Sequence, residues 1–293
     1  MPATANTQLL IIDPQNDFCD LPEAWCPPDP LQGGVLRPSL PVSGAHQDML
    51  RLAGFIDAAR DRLDAITLTL DAHQHLDIAH PGFWQQADGS AVAPFTTITA
   101  AQLREGRYRP RETNAEGTVL ARCQAYLDAL EAAGRYQLMV WPVHCEIGSW
   151  GQGVHAAVLA ACQRWEEGRQ RSVYKLSKGE NRWTEHYSAL QAEVPDANDA
   201  RTLLNQPLLE ELTQAELLLI AGEASSHCVR ASVEHLLAHW PAGQSQRLVL
   251  IEDCMSPVTG FEAQQREFFA AMQARGLRLC SSHAALALLA GGR

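Results

Sequence analysis

The sequence lacks three features that would each have indicated a particular class of protein. It has no excess of basic residues, because 23 Lys and Arg are outnumbered by 34 Asp and Glu, for a formal net charge of -11. It has no apolar run of the ~18 residues that a membrane span needs. Its eight cysteines form no CxxC pair. These absences argue against a nucleic-acid binder, a membrane protein and a disulfide framework. With no basic region ahead of an apolar stretch at the N-terminus, they predict a soluble, cytoplasmic protein with free thiols.

Apolar runs that alternate with amphipathic segments predict an α/β protein. Strands are expected at 8–12, 65–70, 136–141, 172–176, 217–221 and 247–251, with helices between them. Such alternation is typical of a doubly wound, mostly parallel sheet of six strands with helices on both faces. With 46% hydrophobic residues, the chain is expected to form a single domain over residues 1–293.

Two stretches interrupt this alternation and are predicted to be loop insertions. Residues 19–45 hold six prolines, too many for regular structure. Residues 82–118 are polar and aperiodic, with glycines as breakers, and are expected to be partly loop, with room for a small hairpin. Both are expected beside the pocket described below.

Cys228 stands where an apolar strand gives way to a helix. The run over 217–221 breaks at Gly222, and an apolar pattern with helical spacing begins just after Cys228. A thiol in the first turn of a helix lies near unpaired N–H groups, which favour the thiolate and bind a developing oxyanion. The alternative is that Cys228 is simply a small buried residue, as most free cysteines are.

Histidines and a carboxylate follow two other predicted strands. Asp71 and His73 are two residues apart at a strand end, so their side chains are expected to point to the same side. His144 follows the strand predicted at 136–141. Imidazole and carboxylate groups are ligands for zinc, iron(II) or manganese. Alone, the histidine-rich loop after Asp71 is equally consistent with a polar loop that binds no metal.

Further polar residues end at the same predicted sheet edge. Asp13 follows the first strand and Lys178 follows the fourth, while Cys228 follows the fifth. Ligands of open α/β sheets bind at the carboxyl ends of the strands. An Asp, a Lys and a Cys brought together there would supply a base, a cation and a nucleophile.

Together these residues resemble the cysteine hydrolases that include nicotinamidase and pyrazinamidase, within the isochorismatase-like superfamily. The matching motifs, in the family's order, are Asp13-x-Gln15-Asn16-Asp17-Phe18, Asp71-x-His73, Trp141-Pro142-x-His144-Cys145, Lys178-Gly179 and Gly222-x-Ala224-Ser225-x-His227-Cys228-Val229. They span residues 8 to about 235, and the set is much more specific than any one member. The family fold is a six-stranded parallel sheet flanked by helices.

The resemblance implies a role for each matching position. Cys228 would be the nucleophile, with Asp13 and Lys178 completing the catalytic triad. The backbone N–H groups of Ala224 and Cys228 would form the oxyanion hole, next to a cis peptide bond between Glu223 and Ala224. The predicted reaction is amide hydrolysis through a thioester, with release of ammonia.

The resemblance also implies one divalent transition metal and a site for an aromatic ring, with no organic cofactor. The implied metal ligands are Asp71, His73, His80 and His144. The spacing of His80 departs from the usual one, and His75 competes with it for this role. Phe18 and Trp141 would enclose the substrate ring, although both are also consistent with core aromatics.

Departures from the family pattern leave the substrate open. Glu223, Ser225 and Ser226 replace the more usual apolar residue, Thr and Asp, and we expect Glu223 and Ser226 to govern specificity, Glu223 by repelling an anionic substrate or binding a cationic one. The first choice is a small aromatic or heteroaromatic amide, hydrolysed by a homo-oligomer. The alternatives are a carbamoyl or ureido amidohydrolase of the same superfamily, and a catalytically idle metal-binding protein on this fold.

Overall fold

The computed structural model describes residues 6–113 and 117–291. The strands are β1 (Thr7–Ile12), β2 (Ala65–Asp71), β3 (Trp84–Gln86), β4 (Thr96–Ile98), β5 (Tyr108–Pro110), β6 (Leu138–Val140), β7 (Tyr174–Lys178), β8 (Leu217–Gly222), β9 (Leu248–Ile251) and β10 (Arg278–Cys280). The α-helices are α1 (Ala45–Ala59), α2 (Ala100–Arg104), α3 (Thr118–Ala133), α4 (Ala156–Arg169), α5 (Gln206–Thr213), α6 (Cys228–His239), α7 (Glu262–Ala274) and α8 (Ser282–Gly291).

The predicted six-stranded parallel sheet is confirmed, but one of its predicted members is wrong. The strand order is β10-β9-β8-β1-β2-β7, and every pairing in it is parallel. The run predicted at 136–141 forms β6, which pairs antiparallel with β4 in a separate two-stranded sheet. The sixth strand is instead β10, a partly buried segment of three residues that is too short to give a periodic signal.

The centre of the sheet explains why its strands are almost continuously apolar. Every residue of β1 is buried, and so is all of β8 after its first residue. Strands covered on both faces have no solvent side, so they do not alternate polar with apolar residues. This is why the sequence predicts β1 and β8 well.

The order of the strands reverses at β1. From β1 the chain moves to β2 and β7 on one side, and then returns to β8, β9 and β10 on the other. Because parallel crossovers are right-handed, this reversal puts the helices of the two halves on opposite faces. The connections that leave the carboxyl ends of β1 and β8 run to opposite sides of this reversal, which is where doubly wound sheets bind ligands.

The two stretches predicted as insertions differ in structure. Residues 19–45 are largely irregular, with one short 3-10 helix at Glu23–Trp25. Residues 82–113 and 117–118 are more ordered than the sequence suggests: β3 and β5 pair antiparallel, and α2 lies between β4 and β5. They pack with α3 and β6 around a second hydrophobic core that includes Trp84, Ile98 and Leu127. Residues 114–116 of the second stretch lie outside the described residues.

All eight cysteines lie in the described residues and are free, as predicted. Within residues 6–113 and 117–291, no helix combines the length and the apolar character needed to cross a membrane.

Gly222, the last residue of β8, lies too close to the neighbouring strand to accept a side chain. Its φ is +115°, and a Cβ there would lie 2.0 Å from the carbonyl oxygen of Ile12 on the neighbouring strand. Gly54 in α1 is the opposite case, because a Cβ there would meet nothing within 4 Å. The end of β8 is therefore restricted to glycine.

We expect Gly222→Ala to lower the free energy of unfolding by about 3–5 kcal/mol, since it adds both a backbone clash and an unfavourable φ. This corresponds to a fall in Tm of roughly 10 °C in a thermal melt. Gly54→Ala is the control, and should raise stability by up to about 1 kcal/mol because alanine favours the helix. Equal melting temperatures for the two variants would contradict the assigned geometry of β8.

Candidate active site

The three predicted triad residues meet at the carboxyl edge of the sheet, where Lys178 lies next to both Asp13 and Cys228. Its Nζ lies 2.9 Å from Asp13 Oδ2 and 3.7 Å from Cys228 Sγ, and all three side chains are buried. Its Nζ also pairs with Asp71 Oδ1 at 3.0 Å and donates to the carbonyl oxygen of His186 at 3.0 Å. Strand register explains part of this arrangement, because Asp71 and Lys178 are direct partners in the β2–β7 pair.

Asp13 is oriented by the strand next to it. Its backbone has a left-handed φ of 44°, which turns the chain out of β1. The Thr69 hydroxyl donates to Asp13 Oδ1 at 2.6 Å and accepts from the Asp13 N–H at 3.1 Å. The carboxylate therefore has one oxygen held by Thr69 and the other paired with Lys178.

Burial and charge together shift the pKa of each triad residue. Burial raises the pKa of the Cys228 thiol well above its usual range, against the lowering effect of Lys178, and it also raises the pKa of Asp13. For Lys178, burial alone would lower the pKa, but Asp13 and Asp71 raise it well above normal. Burial therefore opposes the effect expected from the sequence, in which the N–H groups at the helix terminus favour the thiolate.

Ala224 and Cys228, whose backbone N–H groups are the predicted oxyanion hole, both line the pocket that contains the thiol. The Glu223–Ala224 peptide bond is cis, as the resemblance implied. Within the described part of the chain, neither the Ala224 N–H nor the Cys228 N–H has a hydrogen-bond acceptor. Cys228 is the first residue of α6, so its N–H also lies at the positive end of the helix dipole. Both groups are free to bind an oxyanion.

Three buried histidines form a cluster next to the triad. Ring nitrogens of His73, His80 and His144 all lie within 4.8 Å of one another. Asp71 adjoins this cluster, since its Oδ2 is 3.1 Å from His73 Nε2 and 3.5 Å from His144 Nε2. The same carboxylate pairs with Lys178 through Oδ1, so Asp71 connects the cluster to the triad.

His80, and not His75, completes the cluster. The His75 side chain is 65% exposed and pairs with Glu146, whereas His80 is fully buried. Burial lowers the pKa of His80 to about 2, which leaves it as a neutral imidazole. Asp77 Oδ2 lies 3.3 Å from His73 Nδ1, on the side away from Asp71. Three imidazoles, one adjoining carboxylate and an outer carboxylate that orients His73 fit a divalent transition metal.

A narrow pocket leads to Cys228. Phe18 and Trp141, the two predicted ring-binding residues, both line it. The sequence did not assign five further lining residues to this pocket. They are Leu40, Glu185, Tyr187, His227 and Val258. Glu185, Tyr187 and His227 come from polar stretches, which a sequence alone predicts to be exposed loops. Leu40 comes from the proline-rich stretch over 19–45.

Glu185 is the least expected of these residues. It is only 3% exposed and follows β7 in a run of buried polar residues over 184–188. Its Oε1 accepts from the His186 N–H at 2.9 Å, while Oε2 has no hydrogen-bond partner among the described residues. Burial raises the pKa of this carboxyl group.

The expectation that Glu223 faces the substrate is wrong. Its fully buried carboxylate accepts from the Ser256 N–H at 3.1 Å and lies near Asp48, and Glu223 does not line the pocket. Burial, with Asp48 second, raises the pKa of Glu223 well above its usual range. Ser226 does not line the pocket either, but its hydroxyl contacts His227, which does.

The fold of this chain is similar to that of several solved structures. No family model matches the chain, and no curated protein matches it in sequence. In structure it is similar to a nicotinamidase and pyrazinamidase of Acinetobacter baumannii, with a TM-score of 0.60, 16% identity and coverage of 97% of this chain and 99% of the other. It is similar to the yeast nicotinamidase bound to the inhibitor nicotinaldehyde, with a TM-score of 0.59, 16% identity and coverage of 94% and 99%. A Pyrococcus horikoshii pyrazinamidase in complex with zinc gives a TM-score of 0.53 at 16% identity, with coverage of 94% and 99%.

At these identities the likeness concerns the fold. Over nearly its whole length, the chain has the same α/β fold as these nicotinamidase and pyrazinamidase structures.

Proposed function

We propose that this protein is a cysteine amidohydrolase that releases ammonia from a small aromatic or heteroaromatic amide. The observation that carries this proposal is the position of Lys178 Nζ, which is 2.9 Å from Asp13 and 3.7 Å from the Cys228 thiol in a buried pocket. The two free N–H groups of Ala224 and Cys228 lie in the same pocket. A base, a nucleophile and an oxyanion hole are the parts that acyl transfer requires.

In the proposed mechanism, Asp13 takes the proton of the Cys228 thiol as sulfur attacks the amide carbon. Lys178 stabilises the negative charge of the Asp13 carboxylate before the proton transfer and that of the Cys228 sulfur after it. Lys178 itself stays positively charged because Asp13 and Asp71 raise its pKa. The N–H groups of Ala224 and Cys228 hold the oxyanion. Asp13 then returns the proton to the leaving nitrogen, so ammonia departs and a thioester remains. Water, deprotonated by the same carboxylate, then attacks the thioester carbon and the C–S bond breaks. The acid is released, and Asp13 returns the proton to the Cys228 sulfur.

The residues we propose as metal ligands are Asp71, His73, His80 and His144. A divalent zinc, iron or manganese ion bound there would supply a Lewis acid for a ring nitrogen or a water molecule. The chain's own contribution is orientation: Asp71 links this cluster to Lys178, and Asp77 fixes the ring of His73. Glu185, with one unpartnered oxygen in the pocket, adds a polar group beside them.

Nicotinamide is the first substrate to test. Phe18 and Trp141 place aromatic rings in the pocket wall, which favours a flat substrate. The solved structures of similar fold include proteins named as nicotinamidases and pyrazinamidases. A carbamoyl or ureido substrate would leave the histidine cluster without a role, so we place it second.

We expect purified protein to release ammonia from nicotinamide or pyrazinamide with a kcat/KM of at least about 10⁴ M⁻¹s⁻¹, the lower end of the usual enzymatic range. A coupled ammonia assay over nicotinamide, pyrazinamide, ureido acids and aliphatic amides provides the measurement. Turnover confined to ureido acids would favour the second function. No ammonia from any of them, with the metal supplied, would indicate a catalytically idle protein.

A further inference from the structure

His227 and Tyr187 are the polar members of an aromatic wall beside Cys228. The imidazole of His227 packs against the rings of Trp141, Tyr187 and Phe261, with centroid distances of 5.1, 5.4 and 4.7 Å. Both His227 and Tyr187 line the pocket, and both are less than 10% exposed. The hydrogen-bond partners of the polar atoms on this wall show which of them are available to a bound molecule.

Ser226 determines which nitrogen of His227 carries the proton. Its hydroxyl oxygen accepts from the Val258 N–H at 3.0 Å and lies 2.9 Å from His227 Nδ1. Ser226 is 2% exposed, and the described residues offer its proton no acceptor besides His227. The hydroxyl is fully satisfied when it donates to Nδ1. Nδ1 is then an acceptor, so the proton of the neutral ring lies on Nε2.

The ring remains neutral at ordinary pH. Burial lowers the pKa of His227 to about 3, with a smaller contribution from Arg230. His227 thus has one N–H, at Nε2, and that group finds no acceptor among residues 6–113 and 117–291. It is a hydrogen-bond donor in a substrate pocket.

Tyr187 supplies a second donor on the same wall. Its hydroxyl oxygen accepts from Trp141 Nε1 at 3.0 Å, which leaves the O–H proton to be donated. That proton, too, has no acceptor in the described part of the chain. Two donors on one pocket wall that lack acceptors in the described part of the chain are matched when a bound molecule brings lone pairs.

We propose that His227 and Tyr187 are specificity-determining residues, which donate hydrogen bonds to an oxygen acceptor carried by the substrate ring in addition to the reacting amide. Ser226 is a positioning residue that acts through the tautomer of His227. This inference rests on the proposed function and, within its substrate class, predicts a preference for ring amides with a neutral acceptor substituent, such as an oxo or alkoxy group. Unsubstituted nicotinamide has no such substituent and is expected to be a poorer substrate than its acceptor-bearing analogues.

A pair of ring substituents of similar size tests the donors. Benzamides that carry a methoxy or an ethyl group at the same ring position differ in the acceptor oxygen. We expect wild-type protein to prefer the methoxy compound by about 10-fold in kcat/KM at the best ring position, mainly through KM. His227→Phe removes one of the two donors and should reduce this ratio toward one, whatever its effect on turnover of the ethyl compound. An unchanged ratio in His227→Phe, or no preference in wild type at any position, would overturn the proposal.

Serine variants test the tautomer. Ser226→Asp replaces the hydroxyl by an acceptor, so Nδ1 should gain the proton and Nε2 should lose it, and the methoxy preference should disappear. ¹⁵N NMR of histidine-labelled protein reports the protonated nitrogen directly, with His227→Phe identifying the signal. Ser225→Ala is the matched control, because that buried hydroxyl accepts from Gln265 and does not contact His227. A wild-type signal protonated at Nδ1 would refute the assignment.

The proposal and the proposed function fail in different ways. If no ring amide releases ammonia, the function is refuted. Calorimetric binding of the methoxy and ethyl benzamides to wild-type protein, together with the NMR signal, still tests whether His227 and Tyr187 act as donors. Equal binding of the two compounds would then refute the proposed role of His227 and Tyr187 as well.

Discussion

Cys228→Ala should abolish ammonia release while leaving the fold intact. Loss of an essential nucleophile typically costs about 10⁴-fold or more in kcat, and the residual rate comes from binding and the oxyanion hole. Cys228 Sγ is the one triad atom that would bond to the substrate, whereas Asp13 and Lys178 act on its proton and charge. Steady-state assays of the variant and wild type at saturating amide provide the test.

The control for this variant is another buried thiol. Cys162 in α4 is fully buried and distant in the chain from the triad residues. Cys162→Ala should therefore cost stability without lowering kcat. Circular dichroism and thermal melts show whether both variants fold. A folded Cys228→Ala protein that retains near-normal turnover would eliminate the triad assignment.

The fold was predictable where burial is complete and not where elements are short. Strands β1 and β8 are covered on both faces, so an uninterrupted apolar run marks them. The run that became β6 is just as apolar, but it pairs with β4 from the stretch over 82–118, and local pattern does not specify a partner. β10 has three partly buried residues and no recognisable period.

The candidate site was predictable where it depends on strand ends. Asp13, Asp71 and Lys178 terminate or follow neighbouring parallel strands, so topology alone brings them together. Side-chain direction could not be read in the same way. Glu223 is adjacent to Ala224 in sequence, yet its carboxylate turns toward Asp48 and Ser256.

The polar stretch after β7 shows a second limit of the sequence. Residues 184–188 are buried although most of them are polar, and several of their hydrogen bonds, such as that from the Thr184 hydroxyl to the Val194 carbonyl oxygen, are made inside the protein. Composition assigns such a run to the surface. Glu185 and Tyr187 were therefore missed, and no spacing rule in a single sequence would have found them.

His73→Ala should remove the bound metal ion and, with it, most of the activity. Wild-type protein purified without chelator is expected to carry about one zinc, iron or manganese ion per chain, as the donor set predicts. Loss of His73 removes the imidazole between Asp71 and Asp77, and leaves both carboxylates without a partner on that side. We expect metal content to fall below about one tenth of the wild-type value and kcat/KM to fall by at least about 100-fold.

His75→Ala is the matched control, because His75 is two residues away but exposed and paired with Glu146. It should retain both its metal and its activity, whereas His80→Ala should behave like His73→Ala. Elemental analysis of the four proteins gives metal content independently of turnover, so it tests the site even if the substrate remains unidentified. The metal assignment would fail if wild-type protein carried no transition metal and its activity were unchanged by adding zinc, iron or manganese. If His75→Ala lost its metal and His80→Ala kept it, the fourth ligand would be His75, which is nearer to His73 in sequence but exposed.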